Sequence, residues 1–326
     1  MELNVTSNLT SSKGTINATV KSHELLWWTA SILGLNFAGA LANILLLLVM
    51  TVYKPLRQSS SCALLVHCIV IDLYQTVVAV PAQIIPVYMG PTHSLPTFYC
   101  RTLPLLVFST SWASMHASCA LAMHRLVATV LPHRYAAFTK RSSLALMILV
   151  PWVLSLCIAM FPTVEYGMKV VVSPVNGGCT TVAVGTQTVF TMYTVIGTYL
   201  PTVVIGLCYM GILLKSLMEM HDSSRSTSQA TALRRRSEIS LTLFVSFLWH
   251  CITLYPMMIA VTFYPGVYSR NVQLQLALKG MINVFSAVNP VFYWTSSRLF
   301  QNGLKEVLGC RWTWAQARSR ISPVSK

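Results

Sequence analysis

The chain has 326 residues, of which 54% are hydrophobic and only 10% are charged. Soluble domains carry about 25% charged residues, so this composition excludes an ordinary soluble protein and indicates a membrane protein. The formal net charge of +15 does not indicate nucleic-acid binding, because most of the basic residues fall in alternate loops between apolar stretches.

Residues 1–26 form a polar leader that carries three N-glycosylation sequons, beginning at Asn4, Asn8 and Asn17. Loops on the cytoplasmic side of a membrane carry an excess of Lys and Arg. In this chain the excess lies in the C-terminal tail and in the loops on the same side as that tail. The sequence therefore predicts an extracellular, glycosylated N-terminus, a cytoplasmic C-terminus and a place in the plasma membrane.

Seven apolar stretches follow, each about 20 residues or longer and so able to cross a hydrocarbon layer of ~30 Å. They lie at residues 27–50, 61–87, 101–130, 143–163, 186–215, 239–263 and 274–295. The pattern predicts an all-α membrane protein, a bundle of seven transmembrane helices over residues 27–295.

Most of the nine cysteines lie inside these stretches, where they are expected to pack as small apolar residues. Cys100 stands at the outer end of the third stretch, and Cys179 lies in the outer loop between the fourth and fifth. Because that side of the membrane is oxidising, we expect these two cysteines to form a disulfide.

A short amphipathic helix is predicted over residues 296–310, followed by a cytoplasmic tail over residues 311–326. Its apolar face and its Arg and Lys residues suit the surface of a membrane, so lipids are expected partners. Cys310 at its end is either a palmitoylated anchor or a free thiol.

Polar, aromatic and proline residues recur through the spans in a fixed order: Asn43, Asp72, Cys100 with Cys179, Arg125, Pro132, Trp152, Pro201, Tyr209, Pro256 and Asn289-Pro290-Val291-Phe292-Tyr293. Their order and spacing resemble the rhodopsin-like, or class A, G-protein-coupled receptor family over about residues 27–310. The resemblance implies a receptor, not an enzyme, that binds an extracellular ligand. It further implies heterotrimeric G proteins and arrestin as intracellular partners.

Asp72 is the only acid in the interior of any span, so it must be paired, hydrated or protonated. The resemblance surrounds it with four polar residues: Asn43, Ser114, Ser286 and Asn289. Such a core holds either a sodium ion or a cluster of water molecules. Phe285 replaces an amide that the family commonly offers to the ion.

Signalling in the family depends on an arginine that matches Arg125, together with Tyr209, Pro256, Asn289, Pro290 and Tyr293. The residue before Arg125 is His124 instead of an acid, and Arg236 stands where span six often carries a carboxylate. Loss of these restraints predicts raised basal activity, unless Glu238 substitutes for them. The replacements His133, His250 and Leu254 equally suit a receptor that couples poorly.

The ligand pocket is expected to include Val107, Leu254, Lys279 and Asn283. Val107 stands where amine receptors carry an aspartate, and Asn283 where opsins carry the retinal lysine, so neither an amine nor retinal is expected. Lys279 and Arg101 form a cationic rim, which favours a lipid, an acidic metabolite or a peptide carboxylate. Alternatively, Lys279 only extends toward water.

Two further functions remain as alternatives. The first is a ligand binder with seven helices that does not signal, or a partner subunit of another receptor. The second, more remote, is a transporter or channel, against which the lack of two similar halves and the single intramembrane acid argue.

Overall fold

The computed structural model describes residues 22–90, 93–96, 98–173, 176–184, 187–221 and 227–321. The sequons at Asn4, Asn8 and Asn17 lie outside these residues, and so does the side chain of Cys310. Glycosylation and palmitoylation therefore stay predictions.

Seven helical spans form the bundle, in agreement with the predicted fold. Their bounds are Ser22–Val52, Cys62–Met89, Tyr99–Val130, Arg141–Thr163, residues 187–221, Thr227–Phe263, and for span seven Val272–Asn283 followed by Phe285–Ser296. Within the described residues, six helices are long and apolar enough to cross a membrane. Span seven is interrupted at Val284, whereas the sequence predicted one continuous stretch.

Spans two, three and five each contain a π-helical turn, at Gln75–Ala79, Pro104–Phe108 and Val195–Tyr199. Two of these turns precede a proline closely, Pro81 in span two and Pro201 in span five. Proline has no N–H to donate and its ring displaces the preceding turn, so the helix widens locally to accommodate it.

The loop after span four contains an antiparallel hairpin of strands β1 (Met168–Val172) and β2 (Cys179–Ala183), in which Val172 pairs with Cys179. A disulfide joins Cys179 to Cys100 at the start of span three, with the two Cα atoms 5.5 Å apart. Met168 and Val170 point into the bundle and are buried.

The main apolar core lies toward the end of the bundle opposite the hairpin, near Arg125. It joins six of the seven spans and the last helix, through side chains that include Leu46, Leu65, Leu121, Ile205, Leu243, Tyr293 and Phe300. The outside of the bundle exposes other large apolar side chains, among them Leu41, Leu146, Val153, Leu207 and Ile252. A surface of this kind suits hydrocarbon instead of water.

Short helices connect the spans at Lys54–Arg57, Tyr135–Phe138 and Pro265–Arg270, and a last helix runs over Arg298–Ile321. This last helix extends past residue 310, where the sequence predicted its end. Phe300 and Val307 hold its beginning against the core. No proline follows until Pro323, and a helix usually stops before the residue that precedes a proline.

Candidate functional site

A cavity of about 30 Å³ lies at the centre of the bundle, large enough for water molecules or a small ion. Its polar lining comes from spans two, three, five, six and seven: Cys68, Asp72, Ser114, Ser118, Tyr209, Ser246, His250, Asn289 and Tyr293. Polar groups at this depth of a bilayer require partners inside the protein, because hydrocarbon offers none.

Asn289 of span seven connects the acid of span two to span six. Its amide nitrogen donates to Asp72 Oδ2 at 2.7 Å, and its amide oxygen accepts a hydrogen bond from the Ser246 hydroxyl. All three side chains are buried. The second carboxylate oxygen, Asp72 Oδ1, is also buried and has no hydrogen-bond partner within the described part of the chain. The carboxylate therefore retains an open acceptor at the cavity.

The other predicted core residues take separate positions. Ser114 lines the cavity, as expected. Asn43 does not reach Asp72; its amide nitrogen donates to the carbonyls of Gly39 at 3.0 Å and Ser286 at 3.1 Å. Asn43 and the Ser286 carbonyl thus join span one to span seven, whereas the Ser286 side chain lies close enough to interact with the Asp72 carboxylate.

Sequence reasoning did not assign Ser246 or His250 to this cavity. Both residues line it, and the His250 ring contacts the Phe285 ring edge-on with centroids 4.3 Å apart. The four-residue spacing from Ser246 to His250 places both on one face of span six, which was the available signal. His250 adds an imidazole to a cavity that the prediction centred on Asp72.

Near Arg125, the structure packs the predicted signalling residues closely. His124 is fully buried, its Nδ1 lies 3.1 Å from Ser61 Oγ, and its ring lies 5.2 Å from that of Tyr135. Tyr135 also shares a hydrogen bond with Ser60. A polar contact to Ser61, just before span two, and an aromatic contact to the helix Tyr135–Phe138 therefore surround the position beside Arg125 where the family commonly has an acid.

Two buried tyrosines line the cavity on this side. Tyr209 contacts Phe244, with ring centroids 5.9 Å apart, and Tyr293 contacts Phe300 at 5.1 Å. Arg125 is buried as well. The two prolines of the predicted set lie within helices, Pro256 in span six and Pro290 in the second half of span seven.

The four predicted pocket residues do not line the central cavity. Val107 is buried in a small apolar cluster with Ala79 and Leu103, and Leu254 packs against the main core. Asn283 is buried and its amide nitrogen donates to the Lys279 carbonyl at 2.8 Å.

The hairpin covers Lys279. The tip residues Asn176 and Gly178 are buried, and Asn176 Nδ2 donates to Gln275 Oε1 of span seven at 2.8 Å. Lys279 Nζ lies beside Gly178. The ammonium group therefore lies under the loop and not at an open rim.

Arg101 does not contribute a free positive charge to the predicted cationic rim. Its Nε lies 3.8 Å from Glu165 Oε1 and donates to the Thr163 carbonyl at 3.2 Å. Both side chains of the ion pair are more than half exposed, so the pair adds little stability, but Glu165 compensates the charge. The rim prediction was therefore wrong for Arg101.

The fold and this arrangement define a multi-pass membrane receptor with seven helices. Residues 42–293 match the family model for the 7 transmembrane receptor (rhodopsin family), and the chain belongs to this family. Its members are receptors and not enzymes, which agrees with the resemblance drawn from the motifs.

The chain is also similar to Neuropeptide receptor 15 of Caenorhabditis elegans, with 26% identity over 136 residues. The matched region covers 41% of this chain and 39% of that receptor. The chain therefore aligns with about two fifths of the length of this relative.

Proposed function

We propose that this chain is a plasma-membrane receptor, with its N-terminus outside, that transmits binding of an extracellular ligand to heterotrimeric G proteins. The observation that carries the proposal is the hydrogen-bonded path from Asp72 through Asn289 to Ser246, beside Tyr209 and Tyr293. A buried network across three spans can exchange partners when the helices shift, which is what a two-state transducer requires. Arrestin and lipid head groups are proposed as further partners on the Arg125 side.

We further propose that basal activity is raised. The family commonly restrains its arginine with an acid immediately before it, and His124 in this chain cannot provide that ion pair. Loss of a partly buried pair that exists only in the inactive state shifts the equilibrium by about 1–2 kcal/mol, or about 5- to 30-fold, unless Glu238 substitutes for the missing acid. A receptor that binds ligand without signalling is the competing function, favoured by the replacements Leu254 and His250 in span six.

The proposed ligand is a peptide that presents a carboxylate. Lys279 has no hydrogen bond through its ammonium group and no ion pair within the part of the chain that the structure describes. Val107 lies in the buried apolar cluster with Ala79 and Leu103 and offers no negative charge to pair with a protonated amine. The similarity to a neuropeptide receptor supports a peptide over a lipid or an acidic metabolite.

A screen of neuropeptides in paired forms, with a free C-terminal carboxylate or an amide, tests this assignment. The acid form of an active peptide is expected to act at lower concentration on the wild type, and Lys279→Met is expected to remove that preference. Arg101→Gln is the matched control, because it removes a cation that Glu165 already compensates. Equal potency of both forms on the wild type would contradict the carboxylate assignment.

The central cavity also fits a sodium ion. Asp72 Oδ1 is a buried carboxyl oxygen without a hydrogen-bond partner among the described residues, and the hydroxyls of Ser114 and Ser118 are oxygen ligands of the kind that a hard cation prefers. Asp72 and Ser114 would hold the ion, and its charge would compensate the carboxylate. Water molecules are the competing occupants, because Phe285 and His250 contribute no oxygen ligand.

A further inference from the structure

The interruption of span seven separates two halves with different neighbours. The first half, Val272–Asn283, carries Lys279 and lies under the hairpin, and the second half, Phe285–Ser296, carries Asn289. Val284 between them belongs to neither helix: its backbone forms a right-handed turn (φ −99°, ψ −5°), and its carbonyl accepts from the N–H of Val288 at 3.1 Å. In a regular helix the Asn283 carbonyl would accept from the N–H of Ala287, and the interruption falls between these two residues.

Span one approaches span seven closely at this point. A Cβ atom added to Gly39 would overlap the backbone of Ala287, so only glycine allows this approach. Asn36 lies about one helical turn before Gly39 and Asn43 about one turn after it. The close contact therefore brings two amide side chains within reach of the interruption.

Each amide donates to a span-seven carbonyl on a different side of the interruption. Asn36 Nδ2 donates to the Asn283 carbonyl at 3.0 Å, as well as to the Ile32 carbonyl of its own helix at 2.9 Å. Asn43 Nδ2 donates to the Ser286 carbonyl at 3.1 Å. Both asparagines are about 1% exposed, so no water competes for these bonds.

Asn36 is joined to the region around Lys279, because Asn283 donates from its side chain to the Lys279 carbonyl. Ser286, the acceptor of Asn43, lies about one turn before Asn289, which holds Asp72. The two bonds therefore fix the first half of span seven relative to the half that carries the polar network.

We infer that Asn36 is a positioning residue that holds the interrupted conformation of span seven and thereby couples Lys279 to the Asp72 network. The coupling role rests on the proposed function. Without the Asn36 donor, the Asn283 carbonyl has no partner from span one. An unpaired carbonyl is costly inside a membrane, so a regular helical hydrogen bond from the Ala287 N–H to this carbonyl becomes favourable. Span seven then straightens, and Asn289 moves relative to Asp72.

The test measures the geometry of the cavity without use of a ligand or a G protein. The full chain in lipid nanodiscs is treated with a small alkylating reagent, and modification of each cysteine is followed by mass spectrometry. Cys68 lines the central cavity, whereas Cys208 is buried in the apolar core. The rate ratio of Cys68 to Cys208 separates a local rearrangement from general loosening of the fold.

Asn36→Leu is expected to raise this ratio about three- to tenfold, the range that hydrogen bonds between membrane helices support. Asn36→Ser, which keeps a polar group but reaches only its own helix, is expected to do the same and is the second variant if leucine prevents folding. Thr29→Val is the matched control on span one, because the buried Thr29 hydroxyl has no partner in the described structure.

An unchanged ratio in both Asn36 variants would overturn the inference, and so would equal acceleration of Cys68 and Cys208. Basal G-protein activation is measured in the same variants. If neither the wild type nor any variant signals while the Cys68 ratio rises, the positioning role stands and the proposed function fails. If the wild type signals while the Cys68 ratio is unchanged in both Asn36 variants, the proposed function stands and the positioning role fails.

Discussion

The bond between Asn289 and Asp72 is predicted to be the strongest single contact of the polar network. The two atoms are 2.7 Å apart, the short end of the range for an N–H donor to a carboxylate. Hydrogen bonds to charged groups contribute about 1.5–3 kcal/mol, whereas neutral bonds between membrane helices average about 0.6 kcal/mol. A double-mutant cycle of Asp72→Ala and Asn289→Ala is therefore expected to give a coupling energy of about 1.5 kcal/mol or more.

The assay is equilibrium unfolding in mixed lipid and detergent, with choline chloride in place of sodium chloride so that no bound cation contributes. The neighbouring pair Ser246 and Asn289 provides the internal control, since both groups are neutral and their coupling is expected near 0.6 kcal/mol. A coupling below about 0.5 kcal/mol for Asp72 and Asn289, within the additivity error of such cycles, would show that this hydrogen bond is not the strongest contact of the network. Equal coupling for both pairs would indicate that Asp72 is neutral in the folded protein.

Three further changes have expected outcomes. Replacing Cys100 and Cys179 together by alanine is expected to lower the free energy of unfolding by up to about 4 kcal/mol, because the disulfide closes a loop of 79 residues and so restricts the unfolded chain. An unchanged thermal unfolding temperature would contradict this. Burial raises the pKa of Tyr268 to about 12, and its hydroxyl has no partner among the described residues. Tyr268→Phe removes this unpaired hydroxyl and is therefore expected to raise the free energy of unfolding by about 1 kcal/mol. A lower melting temperature of the variant would count against this expectation. Sodium chloride is expected to stabilise the wild type over choline chloride by about 1.4 kcal/mol at tenfold excess over its Kd, and equal stabilisation of Asp72→Asn would exclude the site.

The sequence was sufficient for the bundle because the signal for a membrane span is local. Twenty apolar residues must cross the hydrocarbon as a helix, whatever their neighbours are. The interruption of span seven was not predictable in this way. Residue 284 is neither Gly nor Pro, and the donor that reaches the Asn283 carbonyl comes from Asn36, more than two hundred residues away. Asn43 donates to the Ser286 carbonyl, whose helical donor is absent because residue 290 is a proline.

The hairpin was missed although its composition contained a signal. Val170, Val171 and Val172 are β-branched, and so are Thr180, Thr181 and Val182 on the opposite strand. Each strand has only five residues, which is too short to stand out in a pattern of apolar stretches of about 20 residues. The omission matters for the ligand site, because the hairpin covers Lys279, which the sequence placed at an open rim.

The polar core was predicted in part. The acid, its partner Asn289 and Ser114 followed from the family pattern, but the pattern placed Asn43 near Asp72, where the structure directs it to Ser286. Ser246 and His250 complete the lining from span six. Which neighbour a side chain selects depends on the helix rotations, and these are set by packing across the whole bundle.

Basal G-protein activation of the wild type and of Arg125→Ala, compared at matched surface expression and without ligand, measures whether this chain signals through Arg125. A basal signal through at least one G protein is expected in the wild type and its loss is expected in the variant, because we propose that Arg125 carries the coupling and His124 cannot form the ion pair that an acid at this position would provide. A flat response from both proteins across the panel would contradict raised basal activity. A signal that persists in Arg125→Ala would contradict the role assigned to Arg125.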